Sequence, residues 1–365
     1  AASDPTPAGP VAGAPTAQRP AGPGGSAPGA DPAAAAEPEE KAPKQETFPL
    51  PNCWSGLLQF DQQVSLATFR AALDAAVTNR DQALAEYLQE RLTELVGKDE
   101  AKALEVLGWA DGSSQPELGV YMEALKNTEA VRHPKVVDRL LGMGENRKSS
   151  LVNRSAAVAT LETQHHLDAA SMRRLKAIAL DESADSLSWM AARTLGKIMK
   201  EDFERTGNFQ AYWDSLLDVA KKSDDMAVRL LALEMPSYSN PIIGGSSLDA
   251  LSEIMRKDRE RDVREMAAFR LAVTEEPDRA LEAYKKAWTT EQDVCVRWAI
   301  FRFAVRALGP AALPQLRQWA GEDPRFTQDY QDFQKLYADG TVDFSRIWLG
   351  KEERHQCIVE EGAPH

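Results

Sequence analysis

Apolar positions recur along most of this chain at the spacing of helices. Leu66, Phe69, Leu73 and Val77 form one stripe behind Ser65, a residue suited to capping a helix. Leu84, Leu88, Leu92 and Leu95 form the next behind Asp81, and Gly97 stops it. Helices are predicted from Asp99 to Trp109, from Pro116 to about Asn127 and from Pro134 to Leu141. A longer rhythm then sets in. Val152, Leu187, Val228, Val263 and Val296 each open a helix, 35, 41, 35 and 33 residues apart. A small or apolar residue follows about four places on, and an Arg stands close behind most of them. With the aliphatic residue as position zero, the apolar places of the last copy are Val296, Ala299, Ile300, Phe303, Ala304 and Ala307.

A first helix precedes each of the last four copies: Met172–Leu180, Gln210–Lys221, Leu248–Lys257 and Asp278–Trp288. Short acidic turns join the pairs: Asp181–Asp185, Ser223–Asp225, Asp258–Asp262 and Thr289–Asp293. Such turns make neighbours antiparallel. A period of this length predicts helix pairs stacked into an α-solenoid, not a globule around one centre. Two insertions interrupt it, Glu201–Asn208 and Pro236–Ser247. Further helices are predicted over Ala311–Ala320 and from Pro324 to Ala338, with Val342–Leu349 as an end cap.

Composition divides the chain. Residues 1–47 hold 14 Ala, 10 Pro and 6 Gly with no aromatic residue and no Leu, which predicts a disordered linker able to act as a tether. Residues 48–350 carry the apolar residues of a solenoid, and 351–365 form a C-terminal tail. The net charge is −13, of which the linker contributes −3. An acidic body argues against nucleic acid, whose phosphates call for clustered cations. No apolar run is long enough for a transmembrane helix. The start Ala1-Ala2-Ser3-Asp4-Pro5 is of the kind left by signal-peptide removal, so an extracytoplasmic location, periplasmic or secreted in a bacterium, is expected, with the cytoplasm as the alternative.

The repeating element resembles the HEAT-repeat family over about residues 133–309. The residues that carry the likeness are Asp225, Val228-Arg229 and Ala232; Asp262-Val263-Arg264 and Ala267; and Asp293, Val296-Arg297 and Ala299. Ser188 stands where one copy would have Arg, Arg154 comes one place late, and Ala299 one place early. The resemblance implies an all-α, right-handed α-α superhelix. It also implies that Asp225, Asp262 and Asp293 pair with Arg229, Arg264 and Arg297 between repeats as a ladder. The family binds partners on the concave face of its second helices.

No sequence motif of a hydrolase, a zinc peptidase or a nucleotide-binding loop is present. Gly244-Gly245-Ser246-Ser247 reads as a flexible loop ending in a cap, although glycines before a helix can hold an anion. His165-His166 and His355 with Cys357 supply too few ligands for a metal. No cofactor and no catalytic residue is predicted. Cys295, between Val294 and Val296, is expected to be a buried free thiol. Cys53 and Cys357 lie at opposite ends, beyond bridging distance unless the C-terminal segment doubles back over the first helices. The expected function is a non-enzymatic scaffold that binds a protein partner. Aromatic and Arg side chains make binding hot spots, which selects Trp189, Arg193, Leu230, Phe269, Trp298, Phe301 and Arg302 on the second helices. Gap-filling between repeats is the alternative role for those rings. The rival functions are a HEAT-like DNA glycosylase, and a HEAT-like lyase or chaperone acting on a cofactor-bearing protein.

Overall fold

A computed structural model describes residues 64–113, 115–238, 244–339 and 355–357, and these are helical with no strand among them. The linker of residues 1–47, Cys53 and the expected cap Val342–Leu349 lie outside the described residues. The helices are α1 (Leu66–Thr78), α2 (Gln82–Val96), α3 (Glu100–Ala110), α4 (Gln115–Lys126), α5 (Pro134–Glu145) and α6 (Leu151–Thr160). Then come α7 (Ala169–Ala179), α8 (Asp185–Thr206), α9 (Phe209–Lys222), α10 (Met226–Glu234) and α11 (Gly245–Lys257). The last are α12 (Arg261–Leu271), α13 (Pro277–Thr290), α14 (Val294–Leu308), α15 (Leu313–Glu322) and α16 (Thr327–Asp339).

The ends follow from the sequence. Ser65 and Thr68 form a reciprocal capping box. The carboxylates of Asp81, Asp99, Asp168, Asp225 and Asp293 accept from the first free backbone N–H groups of α2, α3, α7, α10 and α14. One predicted insertion is not a loop. Helix α8 runs 22 residues, through Glu201 to Thr206, because neither Gly nor Pro occurs from Glu201 until Gly207, which ends it at φ +70°. Lys200 with Glu204, and Asp202 with Arg205, support the extra turns from the surface.

Consecutive helices pair, α3 with α4, α5 with α6, and so on to α15 with α16. The second members of the pairs pack on one another in chain order, from α2 and α4 through α12 and α14. The first members do the same over α3, α5 and α7, and again over α9, α11 and α13. The result is two layers with apolar side chains between them. Trp213, Tyr121, Tyr284 and Trp319 are among the largest residues enclosed there.

Arginines tie each pair to the next. Arg229 donates to the carbonyls of Ser223 (3.1 Å) and Asp224 (2.9 Å) in its own turn, and to Asp258 in the following turn (3.2 Å). Arg264 repeats this with the Asp258 carbonyl (3.0 Å) and Glu291 (2.8 Å). Arg297 repeats it again with the Glu291 carbonyl (2.8 Å) and Asp323 (2.9 Å). Arg154 bonds the Gly144 carbonyl (2.8 Å) and Asp181 (3.4 Å). The arginines are those expected, but their partners differ. Asp225 and Asp293 are spent on capping their own helices, and Asp262 pairs with the adjacent Arg261. The acid that reaches across sits at the start of each turn, where its carboxylate faces the previous pair.

One rung has no charge at either end. Ser188 replaces the arginine and donates to the Asp181 carbonyl (2.6 Å), and Ser223 stands where the acid would be. Loss of both partners leaves no buried ion unpaired, which is the tolerable way to lose a rung.

Candidate functional site

The register of α6 creates an apolar surface feature. Its Arg154 forms the rung, so Asn153 takes the core position that Val228 takes in α10. Asn153 is buried and its side chain bonds the Ala110 carbonyl (3.4 Å). Val152, expected in the core, is turned out, and it and Leu151 are each 42% exposed. Leu151, Val152, Ser155, Ala156 and Ala159 of α6 face Ser186 and Met190 of α8 across a groove of about 440 Å³. Met226, at the start of α10, adds a further exposed apolar side chain in the same layer.

Arg193 and Lys197 continue the helical stripe of Ser186 and Met190 toward the other end of α8. Both approach the enclosed carboxylate of Glu162, Lys197 at 2.5 Å and Arg193 at 3.5 Å, with Lys126 at 4.0 Å. Three cations meet Glu162, with Glu123 also 4.0 Å from Lys126, so the cluster beyond the groove lining carries more cations than acids. The Arg193 guanidinium also lies 5.9 Å from the centre of the Trp189 ring.

The candidate binding residues separate into two groups. Trp189, Arg193, Leu230 and Phe269 are partly exposed on α8, α10 and α12. Phe269 is held between the guanidinium groups of Arg270 (4.6 Å) and Arg306 (4.7 Å). Trp298, Phe301 and Arg302, on α14, are enclosed and have no surface to offer a partner. Phe301 packs among Trp288, Trp319, Phe326 and Phe333, which is the gap-filling role. Arg302 lies against the rings of Trp298 (4.6 Å) and Phe303 (4.2 Å). Burial pushes its guanidinium down to about 9, with Glu265 opposing and Arg306 adding to the shift, so it keeps its charge at neutral pH.

The C-terminal segment encloses part of α14. Cys357 forms a disulfide with Cys295, with Cα atoms 5.5 Å apart and a sequence separation of 62. The expected free thiol at Cys295 is therefore overturned, although its burial stands. The segment doubles back over the last helices instead of the first. Two residues earlier, His355 stacks on Phe326 with centroids 4.9 Å apart and meets the Trp298 ring edge-on. Its Nε2 lies 2.9 Å from Asp329 on α16, and both side chains are buried.

The weaker candidates find internal partners. His165 faces Glu201 (3.5 Å) and His166 faces Asp202 (3.2 Å), so the two rings do not share a ligand. Gly245 donates its N–H to Glu276 (2.8 Å), so the N-terminus of α11 already holds a carboxylate. That bond and Arg279 keep the Glu276 carboxyl below its usual range. Among the described residues no group of His, Cys, Asp and Glu is arranged to hold a metal. No helix among them is long and apolar enough to cross a membrane.

Compared with known protein families, curated proteins and solved structures, the chain matches none. Sequence reasoning missed Leu151, Val152 and Met190 as surface residues. A signal existed: the late Arg154 meant that the register of α6 was one residue later than its aliphatic residues suggested.

Proposed function

We propose that this protein is a binding scaffold that captures a segment of another protein on the face of its second helices. The observation that carries this is the groove between α6 and α8. Leu151 and Val152 are large apolar side chains held in water on a rigid helix, beside Met190, a side chain that adapts to varied partners. The occupant that fits is an apolar anchor side chain followed by a carboxylate or backbone carbonyl, received by Arg193 and Lys197. Trp189, Leu230 and Met226 extend the surface along α8 and α10.

The two layers and their repeated rungs support a right-handed α-solenoid of the HEAT-like kind, in which such a face is elongated. The disulfide supports residence in an oxidising, extracytoplasmic compartment, because cytosolic thiols are ordinarily kept reduced. The linker of residues 1–47 would then serve as a tether. The test is a pull-down with immobilised protein, comparing the wild type with Leu151→Asp combined with Val152→Asp. Both positions are exposed, so the variant is expected to keep its fold and lose the partner. Undiminished capture by the folded variant would refute the reading.

A further inference from the structure

The C-terminal segment lies on the same layer as the groove. Trp298 occupies in α14 the place that Trp189 occupies in α8 and Leu230 in α10, two residues after the repeat's leading aliphatic residue. Trp189 and Leu230 are partly exposed, whereas Trp298 is enclosed and meets the ring of His355. The Trp298 indole N–H is buried without an acceptor. The segment thus covers this ring without completing its hydrogen bonding.

Two attachments hold His355 to Cys357 in place. One is the Cys295–Cys357 bond, with both cysteines about 96% buried, at 4% and 3% exposure. The other is the His355–Asp329 contact at 2.9 Å with the Phe326 stack beside it. The first is covalent and depends on redox conditions. The second is local and reversible.

We infer that the C-terminal segment is a redox-set latch: oxidised, it covers the Trp298 end of the second-helix face, and a dithiol reductant releases it. The inference rests on the proposed binding face only for its purpose, not for the latch itself. In the exchange, a reductant thiolate attacks the sulfur of Cys357 and forms a mixed disulfide, while Cys295 leaves as a thiolate. The second reductant thiol then displaces Cys357. The reductant ends as a disulfide, and the protein holds two thiols after proton uptake. Because the bond is buried, exchange must wait for local opening of the segment. With the bond gone, the His355 contacts are what oppose detachment among the described residues of the segment, and Trp298 becomes reachable.

The experiment uses the full chain, equilibrated in an oxidising glutathione buffer. Free thiols are alkylated under denaturing conditions before peptide mapping. A peptide linking Cys295 to Cys357, with Cys53 alkylated, is expected. All three cysteines alkylated, or Cys53 in the bridge, would overturn the inference. Oxidised and dithiothreitol-reduced protein are then compared for tryptic cleavage after Arg354 and for tryptophan emission. Reduction is expected to speed that cleavage about tenfold or more and to move the emission to longer wavelength, with helical circular dichroism unchanged. Cys357→Ala should behave as reduced protein and ignore dithiothreitol. Should that variant fold poorly, the wild-type comparison suffices. Equal cleavage rates in the two redox states, with the bridge confirmed, would overturn the latch. Neither readout involves the α6–α8 groove, so a failure here leaves the partner-binding proposal standing, and the reverse also holds.

Discussion

Arg229→Met tests what holds the stack in register. The Arg229 side chain is 4% exposed and that of its partner Asp258 10%. Nε lies 3.1 Å from Oδ2 but off the hydrogen-bond axis, so the directed bond is the one from Nη2 to Oδ1 at 3.2 Å. Two turn carbonyls, at 3.1 and 2.9 Å, accept from Nη1. Replacement by Met keeps much of the packing and strands a carboxylate that is nine-tenths buried. Breaking such a pair from one side costs up to about 3–5 kcal/mol, because the remaining charge is mostly shielded from water and keeps only the Glu260 N–H as a donor, at 2.9 Å. Arg147 is the control. It pairs with Asp181 from the surface, where its side chain is 72% exposed, so Arg147→Ala should cost less than about 0.5 kcal/mol. Combining Arg229→Met with Asp258→Leu removes both charges and should cost about 1–2 kcal/mol, less than Arg229→Met alone. Urea unfolding followed by far-ultraviolet circular dichroism reads all three, provided the slope of the transition is unchanged. A cost for Arg229→Met no larger than that of Arg147→Ala would refute the claim that the rungs lock the layers.

Three further outcomes follow from the same contacts. Ser188→Arg and Ser223→Asp should each lower the melting temperature alone and largely restore it together; equal losses that simply add would show that the uncharged rung is not a vacated Arg–acid pair. The Arg325 and Arg297 guanidinium groups hold the Asp323 carboxyl down at about 2, against an ordinary 3.8. The stability it contributes is therefore full above 3.8 and lost as pH falls toward 2, and Asp323→Asn should flatten acid unfolding in that window. Gly144→Ala would place a methyl group 2.8 Å from Val158 and 3.2 Å from Ile178, both in the core, and should cost about 1–3 kcal/mol by calorimetry. Gly108→Ala, with nothing within 4 Å, should be neutral or stabilising.

Helix existence and order were legible because the period-3.6 stripes run through long segments with clear caps, such as Ser65 before Leu66 and Asp81 before Leu84. The arginines of the rungs were legible too, since buried Arg recurring at one place in a helix needs a repeated partner. Their acids were not. The aspartates nearest in sequence, Asp225 and Asp293, satisfy free N–H groups locally, and the acid that reaches across comes from a turn about 30 residues on. Trp298 was misplaced because the covering of α14 comes from His355 and Cys357, outside the repeats. Periodicity carries no information about a segment that folds back. The Cys295–Cys357 bridge was hidden for the same reason. Val152 shows a third limit: in a run of two aliphatic residues, Leu151 and Val152, the pattern gives no ground for choosing register, and the decision fell to the rung made by Arg154.

We propose that the exposed side of α6 and α8 receives a protein segment. A photo-crosslinking amino acid placed at position 152, and separately at Glu282 on the first-helix layer, tests it most directly in the presence of the partner captured by pull-down. A single adduct is expected from position 152, abolished by Met190→Asp, and none from position 282. Equal adducts from both positions, or an adduct at 152 that Met190→Asp leaves untouched, would contradict it.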